Sequence, residues 1–313
     1  MDTIGWLLNS DPAVSWQAMR DLMDASAAAI ASKRARVAHE GTGAEILNLQ
    51  HLDGSWRRAG APAWLTTLFT MQLLRATGAD PTDPAVAAAI ARLETGLRWN
   101  NRGSGWDLRA SETGGSTFFE GEVEPCINGG ALAAGAYFRR PSDNLMRRLV
   151  GEQLEDGGWN CEAPKSTRAS FHTTICVLEG LLEYERAVGF APEVASSRKR
   201  GEDYLLERGL YRRLSTGEIA NPEFLEFAFP PRYHYDLLRA LDYFRATGSA
   251  PDARIAEALG ILQSKRQADG RWLLDATYEE VLALSLNEPV NQPSRWNTLR
   301  ALRVLQWCEQ ALC

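Results

Sequence analysis

Gln50-His51-Leu52-Asp53-Gly54-Ser55-Trp56 reads Q-x-x-D-G-x-W, and the signature returns as Gln153-Leu154-Glu155-Asp156-Gly157-Gly158-Trp159. A shifted form is Arg266-Gln267-Ala268-Asp269-Gly270-Arg271-Trp272; Gly103-Ser104-Gly105-Trp106 is degenerate, and Gly209-Leu210-Tyr211 is eroded. The aromatic positions 56, 106, 159, 211 and 272 stand 50, 53, 52 and 61 residues apart. One signature per period of this length marks an array of like supersecondary units.

Each unit repeats the same plan. A helical stretch leads into the signature: 83–97, 143–154, 197–207 and 252–265. A more apolar stretch follows it: 64–75, 126–138, 172–184, 233–244 and 296–307. Hydrophobics in these second stretches recur at helical spacing, as in Leu237, Leu238, Leu241 and Phe244. Strand-like alternation is almost absent. A further pair, 14–23 and 26–49, precedes the first signature, which makes about six helical hairpins. The second helices are apolar on most faces and carry small residues such as Gly129-Gly130-Ala131. That suits an inner ring of buried helices better than the polar concave face of an open solenoid. The expected fold is all-α, an (α/α)6-type toroid with inner and outer rings, and a single domain over 1–313.

Composition narrows the function. With 45% hydrophobic and 24% charged residues the chain is an ordinary globular one. A net charge of −6 without a basic cluster leaves no footprint for nucleic acid. No apolar run approaches the length of a transmembrane segment. Met1–Trp6 lacks a positively charged leader, and the five cysteines show no CxxC pairing. These features imply a cytoplasmic protein with reduced thiols.

The Q-x-x-D-G-x-W repeats and an inner helix reading "FHTTICVLEGL" resemble the superfamily of squalene and terpenoid cyclases and protein prenyltransferase β subunits. The resemblance covers about 46–306. It implies that the signature ties outer helices together, so its tryptophans are packing residues. It also implies an apolar cavity and an isoprenoid or terpenoid substrate, either transferred or cyclised.

In a closed ring the inner helices start at one rim, where Trp64, Glu124, Cys126, Phe171, His172, His234, Asp236, Arg295 and Trp296 would converge. Three long loops, 107–125, 212–232 and 273–295, enter the same end. Val123-Glu124-Pro125-Cys126 and Ser170-Phe171-His172-Thr173-Thr174 supply a carboxylate, a thiol and an imidazole, a plausible three-ligand zinc set with an open fourth position. The prenyltransferases place Asp-x-Cys and the His of "YHTC" at such helix starts; Glu124, Cys126 and His172 match them, with Glu in place of Asp. Cys161, two residues after a signature, is a possible extra ligand.

Where those enzymes carry Arg and Lys for a prenyl diphosphate, this chain has Phe118 and Gly121, among Glu120, Glu122 and Glu124. Arg168 and Arg232 are the compensating cations to consider. The D-x-D-D acid of class II cyclases is missing. Aromatic residues Trp64, Phe118, Phe119, Phe171, Tyr233 and Trp296 are candidates to contact substrate. His234 and Asp236, taken to open the fifth inner helix, are candidate acid and base. The leading reading is an enzyme with zinc acting on a hydrophobic, isoprenoid-like small molecule. The alternatives are a non-catalytic lipid- or peptide-binding toroid and a metal-free cyclase-like enzyme. A helical partner subunit, which prenyltransferases have, is not readable from one chain.

Overall fold

The structure is a computed structural model and describes residues 2–99, 108–110 and 115–310. The degenerate signature 103–106 and Cys313 lie outside the described residues. The chain is all-α, as the repeats imply. In order the helices are α1 Thr3–Leu8, α2 Pro12–Leu22, α3 Ala27–Ala35, α4 Gly41–Asn48, α5 Ala63–Thr77 and α6 Pro84–Gly96. They continue with α7 Pro125–Tyr137, α8 Asp143–Gly151, α9 Phe171–Val188, α10 Pro192–Leu206, α11 Leu237–Ala246, α12 Ala256–Ser264 and α13 Arg295–Gln310. Among the described residues no helix is long and apolar enough to cross a membrane.

Two compact units make up the chain: one holds 1–36, 204–278 and 286–313, and the other 37–203 and 279–285. Three details differ from the expected elements. Residues 26–49 form two helices, because a 3-10 turn at Arg36–Ala38 and Gly41 at φ 62° interrupt them. Short strands β1 Leu97–Trp99 and β2 Leu108–Ala110 pair antiparallel after α6. The helix expected from Tyr233 begins only at Leu237, since Asp236 caps it by accepting from the Arg239 amide at 2.7 Å.

The signatures do the same structural work wherever their tryptophan is described. The Nε1–H of Trp56, Trp159 and Trp272 donates to the carbonyl ten residues earlier, on Ile46, Leu149 and Leu262, at 2.7, 2.7 and 2.8 Å. Each indole is fully buried, so the carbonyl it takes would otherwise be an unmade bond in the core. The backbone N–H of each tryptophan donates to a threonine Oγ1 of the next helix: Thr67, Thr174 and Thr298. Gly54, Gly157 and Gly270 sit at φ 83°, 94° and 83°, the left-handed region of the turn. Gln50 and Gln153 reach the carbonyls of Ala89 on α6 and Ser197 on α10. The packing role that the resemblance implies is thereby visible bond by bond.

In the unit spanning 37–203, α7 and α9 approach so closely that glycine is required. A Cβ on Gly129 would lie 2.4 Å from the Cys176 carbonyl oxygen, and one on Gly180 2.6 Å from the Gly129 carbonyl oxygen. Nearly every residue of α7 is buried, which is why its hydrophobicity has no preferred side. Gly129→Ala and Gly180→Ala should each cost about 1–3 kcal/mol or more through overpacking. Gly260→Ala on exposed α12, where a Cβ meets nothing within 4 Å, should gain about 0.5–1 kcal/mol. Urea midpoints measure the contrast; equal effects would refute the close-approach argument.

Candidate functional site

The site of the 37–203 unit is built where α7 and α9 begin. Gly121, at φ 73°, turns the chain into the segment Glu122–Glu124 that precedes α7. Asn128, one turn into α7, clasps that segment from both sides: its Oδ1 accepts from the Glu122 amide at 2.7 Å and its Nδ2 donates to the Glu122 carbonyl at 3.2 Å. Arg148 of α8 donates to the carbonyls of Glu122 and Val123. Glu122 itself is buried, and its Oε1 accepts from the Glu124 amide at 2.5 Å. Glu124 and Cys126 are thus presented by a fixed backbone.

Cys161 comes from the loop after the second signature. Trp159 anchors that loop through Thr174, Ser170 N–H donates to the Trp159 carbonyl at 2.8 Å, and Asn160 Nδ2 bonds Ser166 Oγ and the Arg168 carbonyl. The ligand atoms of Glu124, Cys126 and Cys161 lie within 4.8 Å of one another, all half-buried. Cys126 Sγ faces Glu124 Oε2 at 3.9 Å, and Cys161 Sγ lies 3.4 Å from Thr173 Oγ1 on the first turn of α9. The third ligand atom in this close group belongs to Cys161, and His172 is not in the group. His172 is half-buried and adjoins Thr173 in the same turn.

The electrostatics follow from this crowding. Burial and then the neighbouring Glu122 carboxylate push Glu124 up to about 7. Burial also raises Glu122. The contact between the two thiols, with burial, raises Cys126, and the same contact lowers Cys161.

The aromatic residues expected around a substrate divide. Phe118 and Phe119 are core: Phe118 stacks on Trp99 at 5.6 Å, Trp99 Nε1 donates to the Phe118 carbonyl, and Phe119 stands edge-on to Phe118 at 5.2 Å. Trp64 closes this cluster, 6.3 Å from Trp99. Phe171 is the first residue of α9 and is buried; Arg168 is exposed on the preceding loop. Trp99 carried no sequence signal beyond its hydrophobicity, and Asn128 and Arg148 matter only through folded contacts.

In the other unit, His234 and Asp236 lie before α11 and not on it. The His234 ring is sandwiched between Tyr233 at 4.2 Å and Tyr278 at 3.6 Å, with Arg232 over Tyr233 at 5.4 Å. Tyr278 was not foreseen, because it is 44 residues from His234 in the chain. Trp296 stacks on Phe229 at 4.3 Å. Asp236 is 2% exposed, and its Oδ2 has no hydrogen-bond partner. Burial raises its pKa against the pull of Arg300, whose Nη2 is 3.9 Å from Oδ1. Asp242, by contrast, is held far below the carboxylate range by Arg303 and Arg245 in spite of burial. Arg303 also reaches Asp21 at 3.4 Å, which ties α2 to α13.

No protein-family model matches the sequence, and no curated protein does. Among solved structures the chain is similar to a protein from Actinoplanes, at 14% identity over 97% of this chain and 90% of that one, TM-score 0.47. It is also similar to the type II terpene cyclase MstE from Scytonema without ligand, at 17% identity over 96% and 87%, TM-score 0.46. An MstE variant in complex with its product, merosterolic acid A, gives 16% identity over 96% and 87%, TM-score 0.48.

The raised Glu124 predicts a pH signature for the metal-free protein. Its folded value of about 7 exceeds the ordinary 4.5, so between these the folded state holds a proton that the unfolded chain releases. This contribution is complete below 4.5 and is lost as pH rises to about 7. Urea titrations at stepped pH should show a shallower fall in that window for Glu124→Gln than for the unsubstituted chain. Identical slopes would contradict the assignment.

Proposed function

We propose that this chain is a zinc-dependent enzyme acting on a hydrophobic, isoprenoid-like small molecule, with the metal held by Glu124, Cys126 and Cys161 and His172 as candidate fourth donor. The single-domain ring read from the repeats belongs to this proposal. The observation that carries it is the convergence of two sulfurs and a carboxylate oxygen within 4.8 Å, from the start of α7 and the loop before α9. The donor set fits: tetrahedral zinc with bonds of about 2.0–2.3 Å takes thiolate, carboxylate and imidazole ligands. Zinc bound there would supply a Lewis acid that polarises a leaving group or activates a thiol or water.

The chain's own residues do the rest. Asn128 and Arg148 fix the backbone that presents Glu124, while Trp159 and Thr174 fix the loop that presents Cys161. Trp64 and Phe171, largely buried at the starts of α5 and α9, are the aromatic side chains proposed to meet a hydrocarbon substrate. Glu120, Glu122 and Glu124 select against a free diphosphate, which separates this reading from protein prenylation.

A second reading, a metal-free cyclase-like enzyme, is favoured by the buried Asp236 with its partnerless Oδ2. A carboxyl kept neutral there would donate its proton to an alkene, with His234 beside it in sequence.

Metal analysis of the purified full chain decides between the two. The zinc reading expects about one equivalent per chain, and at least a tenfold weaker affinity in Cys126→Ala and in Cys161→Ala. Zinc content unaffected by both substitutions would sink it. Retained turnover of an isoprenoid panel after chelation, lost in Asp236→Asn, would establish the second reading. Binding of the same compounds without turnover would point to a lipid-binding toroid.

A further inference from the structure

The two thiols of the candidate metal site are placed for a second chemistry. Cys126 and Cys161 are both free and both half-buried, with sulfurs no more than 4.8 Å apart. A disulfide needs about 2.05 Å between sulfurs. One partner stands on the first turn of a clasped helix and the other on a loop, so side-chain rotation and small loop movement can close the gap. The remaining described cysteines are placed differently: Cys176 is 4% exposed within α9, and Cys308 belongs to the other unit.

We propose that Cys126 and Cys161 are a reversible redox pair whose disulfide disables the metal site. The consequence for the metal rests on the zinc reading; the cross-link itself does not. With hydrogen peroxide as oxidant, one thiolate attacks a peroxide oxygen, giving a sulfenic acid and hydroxide. The second thiol then attacks the sulfenic sulfur; the S–S bond forms, the S–O bond breaks, and water leaves. The hydroxide takes up the first thiol's proton, so two thiols and one peroxide yield one disulfide and two waters. Both sulfur donors are consumed, which leaves Glu124 alone of the three and releases the ion. A dithiol reductant restores the pair by exchange.

The test uses the full chain in metal-free and zinc-loaded form, titrated with hydrogen peroxide and quenched. Thiol counts on the denatured metal-free protein should fall from five to three, and peptide mapping should recover a single cross-link, Cys126 to Cys161. Zinc-loaded protein should release its ion in step with that cross-link and rebind it after dithiothreitol. Cys126→Ser and Cys161→Ser should each form no cross-link. Mapping of the unsubstituted chain keeps the test independent of how those variants fold. Oxidation to separate sulfinic acids, or a cross-link through Cys176 or Cys308, would overturn the proposal. A Cys126–Cys161 cross-link in a protein that binds no zinc would sink the zinc reading and leave the redox pair standing. Zinc binding without the cross-link would do the reverse.

Discussion

Everything in this chain hangs on one repeated hydrogen-bonding arrangement: a buried indole that takes a helix-end carbonyl while its own backbone is held by a threonine of the next helix. A helix ends with carbonyls that have no partner inside it. Burying such an end without a donor costs about 1–3 kcal/mol. Trp56, Trp159 and Trp272 supply the donor, and Thr67, Thr174 and Thr298 fix where the following helix starts. Helix ends and helix starts are thus coupled at the three signatures whose tryptophan is described.

The candidate site is a by-product of that coupling. Trp159 holds the chain just before Cys161, and Thr174 belongs to the same first turns of α9 as His172 and Thr173. The glycine contacts between α7 and α9 then bring Cys126 to the same place. Concentrating Glu122, Glu124 and two thiols there is electrostatically costly, as the raised carboxylates record. A cation at that point would offset the cost, and a disulfide would remove part of it.

The second unit shows a different solution to buried charge. Asp242 bonds Arg245 and Arg303 directly and stays ionised, whereas Asp236, with Arg300 at 3.9 Å and one oxygen without a partner, is pushed toward neutrality by burial. The first pattern is a strut between helices; the second leaves a carboxyl in reserve. Asp236 caps the start of α11 and Asp242 sits in its middle, but only the folded positions of Arg245 and Arg303 decide which of the two keeps its charge.

The amino-acid sequence by itself determined the helical class, the period, the loop positions and the packing role of the signature tryptophans, because hydrophobic spacing and Gly-Trp turns are local properties. It also singled out Glu124 and Cys126, since both sit on one helix start. Only the tertiary structure decided that Cys161 and not His172 completes the close group, that Phe118 and Phe119 belong to the core, and that Tyr278 lies on His234. Each of these depends on a loop path or a capping bond that joins residues far apart in the chain. Asp236 ending the extended run at Leu237 is the clearest case: one side-chain bond to the Arg239 amide moved two candidate residues off the helix.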